Sequence, residues 1–121
     1  MGYSIVQDKS IAFAGRIIKL HEYLVNEKKE FHISKQIYRS GTSIGANISE
    51  ALKGQSKKDF IAKMYIAYKE AGETEFWIKS LFNAGYLSED QSESLLADCV
   101  EIIKILTKVI KTSKENLENN S

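Results

Sequence analysis

The segment Arg39-Ser40-Gly41-Thr42-Ser43-Ile44-Gly45-Ala46-Asn47-Ile48-Ser49-Glu50-Ala51 constrains the fold more than any other part of the chain. Ile37, Ile44, Ile48 and Leu52 recur at helical spacing and make one apolar stripe. Beside it, Gly41, Gly45 and Ser49 follow one another at intervals of four residues and make a smooth strip. A glycine inside a helix costs ~1 kcal/mol relative to alanine. Two such glycines call for a compensating gain, most simply a second helix lying so close that a side chain would hold it off. The segment predicts a tightly packed helical protein and carries no sign of a catalytic centre.

The rest of the chain agrees with long helices. Proline is absent from all 121 residues, which suits uninterrupted helices joined by tight connections. A hydrophobic fraction of 43% and a charged fraction of 27% are those of a soluble globular protein, and the length fits one domain over residues 1–121. A net charge of +1 nominates neither nucleic acid nor membrane on bulk charge alone. Cys99 has no partner for an internal disulfide, as suits a reducing cytoplasm. Residues 1–15 lack the apolar run of a signal peptide, and no run reaches the length of a membrane span, so no membrane association is expected.

Spacing predicts four helices, over about residues 7–28, 34–53, 57–84 and 89–115. In the first, Ile11, Ala14, Ile17, Ile18, His21, Leu24 and Val25 form the expected apolar face. Ser34 is the expected N-cap of the second, and Gly54 the left-handed residue that ends it. Ser56 with Asp59, and Ser88 with Gln91, have the spacing of capping boxes. Phe60, Met64, Ala67, Ala71, Thr74, Ile78 and Leu81 line the third helix, which Gly85 terminates. Leu95, Cys99, Ile102, Leu106, Val109 and Ile110 line the fourth, and the polar tail from about Glu115 is expected to fray. Short turns make consecutive helices antiparallel neighbours, so the fold class is all-α, an antiparallel up-down-up-down four-helix bundle. The alternative is a three-helix core with a swapped or protruding first helix.

Catalytic patterns are missing. A di-iron bundle needs Glu-x-x-His pairs, and neither His21 nor His32 has a glutamate three residues before it. Glu70, Glu73 and Glu75 are carboxylates without histidine partners, and for Glu73 and Glu75 a structural ion pair to Arg39 or Arg16, or simple exposure, is the simpler explanation. Cys99 on an apolar stripe reads as a small buried hydrophobe. Residues 41–45 lack the lysine that follows a phosphate loop. No catalytic, cofactor or metal residues are therefore assigned, and no enzymatic activity is expected.

Charge and aromatic residues nominate surfaces instead. Between Ser34 and Lys58 five basic residues (Lys35, Arg39, Lys53, Lys57, Lys58) face one acid, Glu50, and these five are candidate nucleic-acid contacts. Lys35 and Lys53 stand at opposite ends of their helix, so one monomer offers two small patches, and only an oligomer would gather them into a ring. Tyr65, Phe76 and Trp77 exceed what one inward stripe of helix three can hold and are candidate oligomer contacts. The alternative is that such rings shield the flanks of the bundle.

The motif from Arg39 to Ala51 resembles that of a known group. So do Asp59-Phe60-Ile61, Ile66-Ala67, Lys69-Glu70-Ala71-Gly72-Glu73-Thr74-Glu75-Phe76-Trp77 and the turn Gly85-Tyr86-Leu87-Ser88. The chain resembles the four-helix-bundle proteins encoded within intervening sequences of bacterial 23S ribosomal RNA genes. That resemblance implies a bacterial cytoplasmic bundle without enzymatic activity that self-associates, with a ring of five subunits as the family expectation. It also implies kinship with the accessory protein of diversity-generating retroelements, a strongly basic pentamer that engages a reverse transcriptase and nucleic acid. This chain is far less basic. Two readings follow: a non-catalytic, self-associating adapter that contacts RNA or an RNA-bound protein, or a purely structural protein–protein module with no nucleic-acid role.

Overall fold

Four helices carry almost all of residues 3–119, the part of the chain that the computed structural model describes. They are α1 (Tyr3–Asn26), α2 (Ile33–Leu52), α3 (Lys57–Asn83) and α4 (Glu89–Asn119). Side-chain contacts between helices give their directions. Gln7 reaches Ser49 while the His21 ring lies tilted against Tyr38, so α1 and α2 are antiparallel. Arg39 meets Glu70 and Glu73 while Glu50 meets Lys63, so α2 and α3 are antiparallel. Cys99 meets Ala71 while Lys114 lies over Tyr65, which makes α4 antiparallel to α3. Arg16 pairs with Asp98 and Lys9 with Glu101, closing the square between α1 and α4. The backbone of each helix lies against those of its two neighbours, and across the diagonal the ring of Tyr3 in α1 meets that of Phe60 in α3 with centres 5.2 Å apart. The chain is thus an up-down-up-down bundle, with no protruding first helix.

Inward positions repeat at alternating steps of three and four residues, as helices packed nearly parallel require. In α2 these are Ile37, Gly41, Ile44, Ile48 and Ala51. Leu52, expected in this stripe, is exposed because the seam passes through Ala51 one residue earlier. The phase of α1 also differs from expectation. Val6, Ser10, Phe13, Ile17, Leu20 and Leu24 point inward, whereas Ile11 is 60% exposed and Ile18 41% exposed. The α1 sequence carries two apolar seams, and only the one that fits against α2 is buried.

That fit is set by the glycines of α2. A Cβ at Gly41 would lie 2.7 Å from Cγ1 of Ile17, and one at Gly45 would lie 3.1 Å from the hydroxyl oxygen of Ser10. Ile17 is fully buried and branched at Cβ, so it cannot swing aside. Ser10 turns its hydroxyl back on its own helix, donating to the carbonyl of Gln7 at 2.7 Å.

The helix ends show where local rules held. Ser88 and Gln91 form a reciprocal capping box, with the Ser88 N–H donating to Gln91 Oε1 at 2.8 Å and the Gln91 N–H to Ser88 Oγ at 3.1 Å. Ser56 caps α3 by accepting from the N–H of Asp59. Gly85, at φ +88°, closes α3 as the N–H of Tyr86 reaches the carbonyl of Leu81. Three expectations need correcting. Gly54 is not left-handed, since among the described residues only Lys29 and Gly85 have positive φ. The tail after Glu115 does not fray, as α4 continues to Asn119. Ser34 is not a cap: α2 begins one residue earlier, and its free amides go to the buried carboxylate of Glu30. Glu30 accepts from the N–H groups of His32 at 3.2 Å, Ile33 at 3.0 Å and Ser34 at 2.6 Å. Burial opposes its ionisation, but these backbone donors together with His32 outweigh it and hold the carboxyl below its ordinary range.

Two outcomes follow. Gly41→Leu should lower the unfolding free energy by about 1–3 kcal/mol in urea titrations, because the added side chain must displace Ile17. A carboxylate whose folded pKa is depressed stabilises the fold above its unfolded pKa, and that contribution disappears as pH falls through the folded value. Stability should therefore drop on acidification below pH 4.5, the ordinary carboxyl value. Glu30→Gln should be less stable at neutral pH by about 1–3 kcal/mol and should lose less than the parent on acidification.

Candidate functional site

The polar groups nominated from the sequence fall into three places. The first lies on the flank between α2 and α3. Arg39 Nη1 lies 3.0 Å from Glu70 Oε2, and Nη2 lies 2.5 Å from Glu73 Oε2, which also accepts from the indole N–H of Trp77 at 3.1 Å. Hydrogen bonds that Arg39 donates to Glu70 and then to Glu73 raise its pKa further, so the guanidinium stays charged. Burial opposes ionisation of Glu73, but the bonds from Trp77 and Arg39 hold its carboxyl low. Trp77 thus has its polar edge engaged in this cluster while its ring packs against the core. Below the cluster the buried Thr74 hydroxyl lies 2.8 Å from Ser40 Oγ. The arrangement is a satisfied interhelical clamp. Glu75 stands apart, paired with Lys79 within α3, and Arg16 takes Asp98 and Ser94 of α4.

Cys99 is fully buried and bonds the carbonyl of Ala71 at 3.3 Å. Burial, with Glu75 and Asp98 nearby, pushes its thiol up to about 12. It is protonated at neutral pH and is no nucleophile. Among the described residues, no three His, Cys, Asp or Glu side chains converge on a point where a metal would sit. No helix among them is long and apolar enough to cross a membrane.

The second place is the end of the bundle where α2 and α4 finish and α3 begins. Lys53, Lys57 and Lys58 gather there, all exposed, with Lys111 and Lys114 of α4 at the same end. Lys57 and Lys58 open α3, where the positive end of the helix dipole disfavours cations, and Asp59 is the one acid in that turn. Among the described residues none of Lys53, Lys57 and Lys58 makes an ion pair, whereas Lys63 is tied to Glu50. Lys35 belongs to the opposite end, and Arg39 is held by its two carboxylates, so the five nominated cations do not form one patch.

The third place is the outward face of α3. Phe76 is 60% exposed and Tyr65 47% exposed. Tyr65 stacks on Tyr68, and the ammonium groups of Lys69 and Lys114 each lie 5.8 Å from its ring centre. The exposed isoleucines of α1 match this face in character, and sequence reasoning missed them by placing Ile11 and Ile18 in the core. The signal that could have found them is the second seam itself.

Comparison with known proteins agrees with this architecture. None of the curated proteins compared with the chain matches it. A crystal structure of a protein of unknown function from the S23 ribosomal protein family of Bacteroides thetaiotaomicron superposes with a TM-score of 0.90 at 54% identity, covering 92% of this chain and 99% of that one. The family model described as 23S rRNA-intervening sequence protein matches residues 3–108, three whole helices and most of the fourth. The chain belongs to the 23S rRNA-intervening sequence protein family.

Proposed function

We propose that this protein is a non-catalytic, self-associating adapter of the bacterial cytoplasm whose basic end contacts RNA. The observation that carries the reading is the group of unpaired lysines around the start of α3. Lys57 and Lys58 sit where the dipole makes them unfavourable to the helix, and Lys53 adds a third charge beside them. The same place suits a phosphate, because a helix N-terminus favours negative charge and three exposed lysines surround it. A single bundle offers only this small cluster. Assembly into a ring, with five subunits as the family expectation, would multiply it into a cationic rim. Lys35, at the other end, and Arg39, held by Glu70 and Glu73, take no part in this reading.

Binding of a short fluorescein-labelled single-stranded RNA, read by anisotropy, tests it. Affinity should fall by roughly tenfold or more between about 50 mM and about 200 mM salt. Lys57→Glu with Lys58→Glu should weaken binding by a comparable factor while leaving the oligomer intact. If the intact oligomer fails to bind at about 50 mM salt, RNA contact is ruled out. The protein would then stand as a protein–protein module.

A further inference from the structure

Two mid-helix glycines, Gly15 and Gly72, have nothing within 4 Å of the position a Cβ would take. Unlike Gly41, neither is needed for packing within the bundle, yet each costs its helix ~1 kcal/mol relative to alanine. Each is the centre of an exposed apolar face. Gly15 lies between Ile11 and Ile18, four residues before it and three after. Gly72 lies between Tyr65 and Phe76, seven residues before it and four after. These spacings place each set on one side of its helix.

The two faces differ in charge. On α1, Asp8 and Glu22 stand seven residues either side of Gly15, and Glu22 holds Lys19 at 3.7 Å. On α3 the same seven-residue register runs Lys58, Tyr65, Gly72, Lys79, with Lys69 beside it. On the α1 face the acids Asp8 and Glu22 outnumber Lys19, and on the α3 face Lys58, Lys69 and Lys79 outnumber Glu75, so like faces brought together carry charge excess of the same sign and unlike faces of opposite sign. An α1 face against an α3 face, glycine over glycine, sets one acid opposite Lys79 and the other opposite Tyr65, whose ring carries Lys69 beside it. It also sets large rings against a helix whose central residue is glycine.

We infer that the α1 face of one copy, centred on Gly15, packs against the α3 face of a second copy, centred on Gly72. This rests on the self-association proposed above and assigns its surfaces. Because α1 and α3 occupy opposite corners of the bundle, the two faces look away from each other and cannot meet within one chain. Each contact leaves one free face of each kind, so the interface is head-to-tail and closes only as a ring.

Complementation tests this. Ile18→Asp disables the α1 face and Phe76→Asp the α3 face, and both residues are exposed, so circular dichroism and melting should match the parent. By light scattering the parent should be a multimer and each variant a monomer. Mixed in equal amounts, the variants should pair into a species of twice the protomer mass, since one intact face of each kind remains. A second arm covers a variant that misfolds. Gly15→Cys mixed with Gly72→Cys should give a disulfide-linked dimer under mild oxidation, while neither variant alone does, the native Cys99 being buried. A variant that stays multimeric, monomers that do not pair on mixing, or absent cross-links in an intact multimer would each overturn the assignment while leaving self-association standing. A monomeric parent would overturn both.

Discussion

The absence of a side chain at Gly41 governs much of this molecule. Ile17 of α1 fills the space that a Cβ would occupy, and this fixes how α1 is rotated about its own axis. With Ile17 turned inward, the residues at steps of three and four from it follow, so Phe13, Leu20 and Leu24 enter the core. The same rotation turns Gly15, Ile11 and Ile18 to the surface. A packing decision at one residue pair thereby decides both what the core contains and what α1 exposes at the surface.

Polar groups secure the other seams in ways that leave little chemistry free. Between α2 and α3, Arg39 bridges two carboxylates, and the Ser40 and Thr74 hydroxyls meet in the core. Between α1 and α4, Arg16 reaches Asp98 and both the backbone and side chain of Ser94. At the first turn, Glu30 collects the amides that open α2. Lys29, just before it, accepts a left-handed backbone at φ +56°. Groups committed in this way stabilise and align helices. The lysines around the start of α3, without ion pairs among the described residues, and the exposed rings and isoleucines are what the fold leaves uncommitted.

The sequence made much of this legible. Local rules act through the backbone and through residues three or four positions apart, so the Ser88–Gln91 box, the Ser56 cap and the Gly85 terminator could be read directly. The family motif and the core stripe of α3 were equally plain. The clamp of Arg39 with Glu73 was foreseen in part, whereas Glu30 was not. Its three donors come from a turn whose path depends on the left-handed Lys29, and no spacing rule marks such a residue.

What the sequence determined by itself is a set of four helices, their antiparallel order and the smoothness of one face of α2, because periodicity, caps and small residues are local properties. Only the tertiary structure decided which of two apolar seams on α1 is core and which is surface. Both seams satisfy helical spacing equally well. The choice is made by steric fit against a different helix, a distance between residues far apart in the chain that no local pattern records.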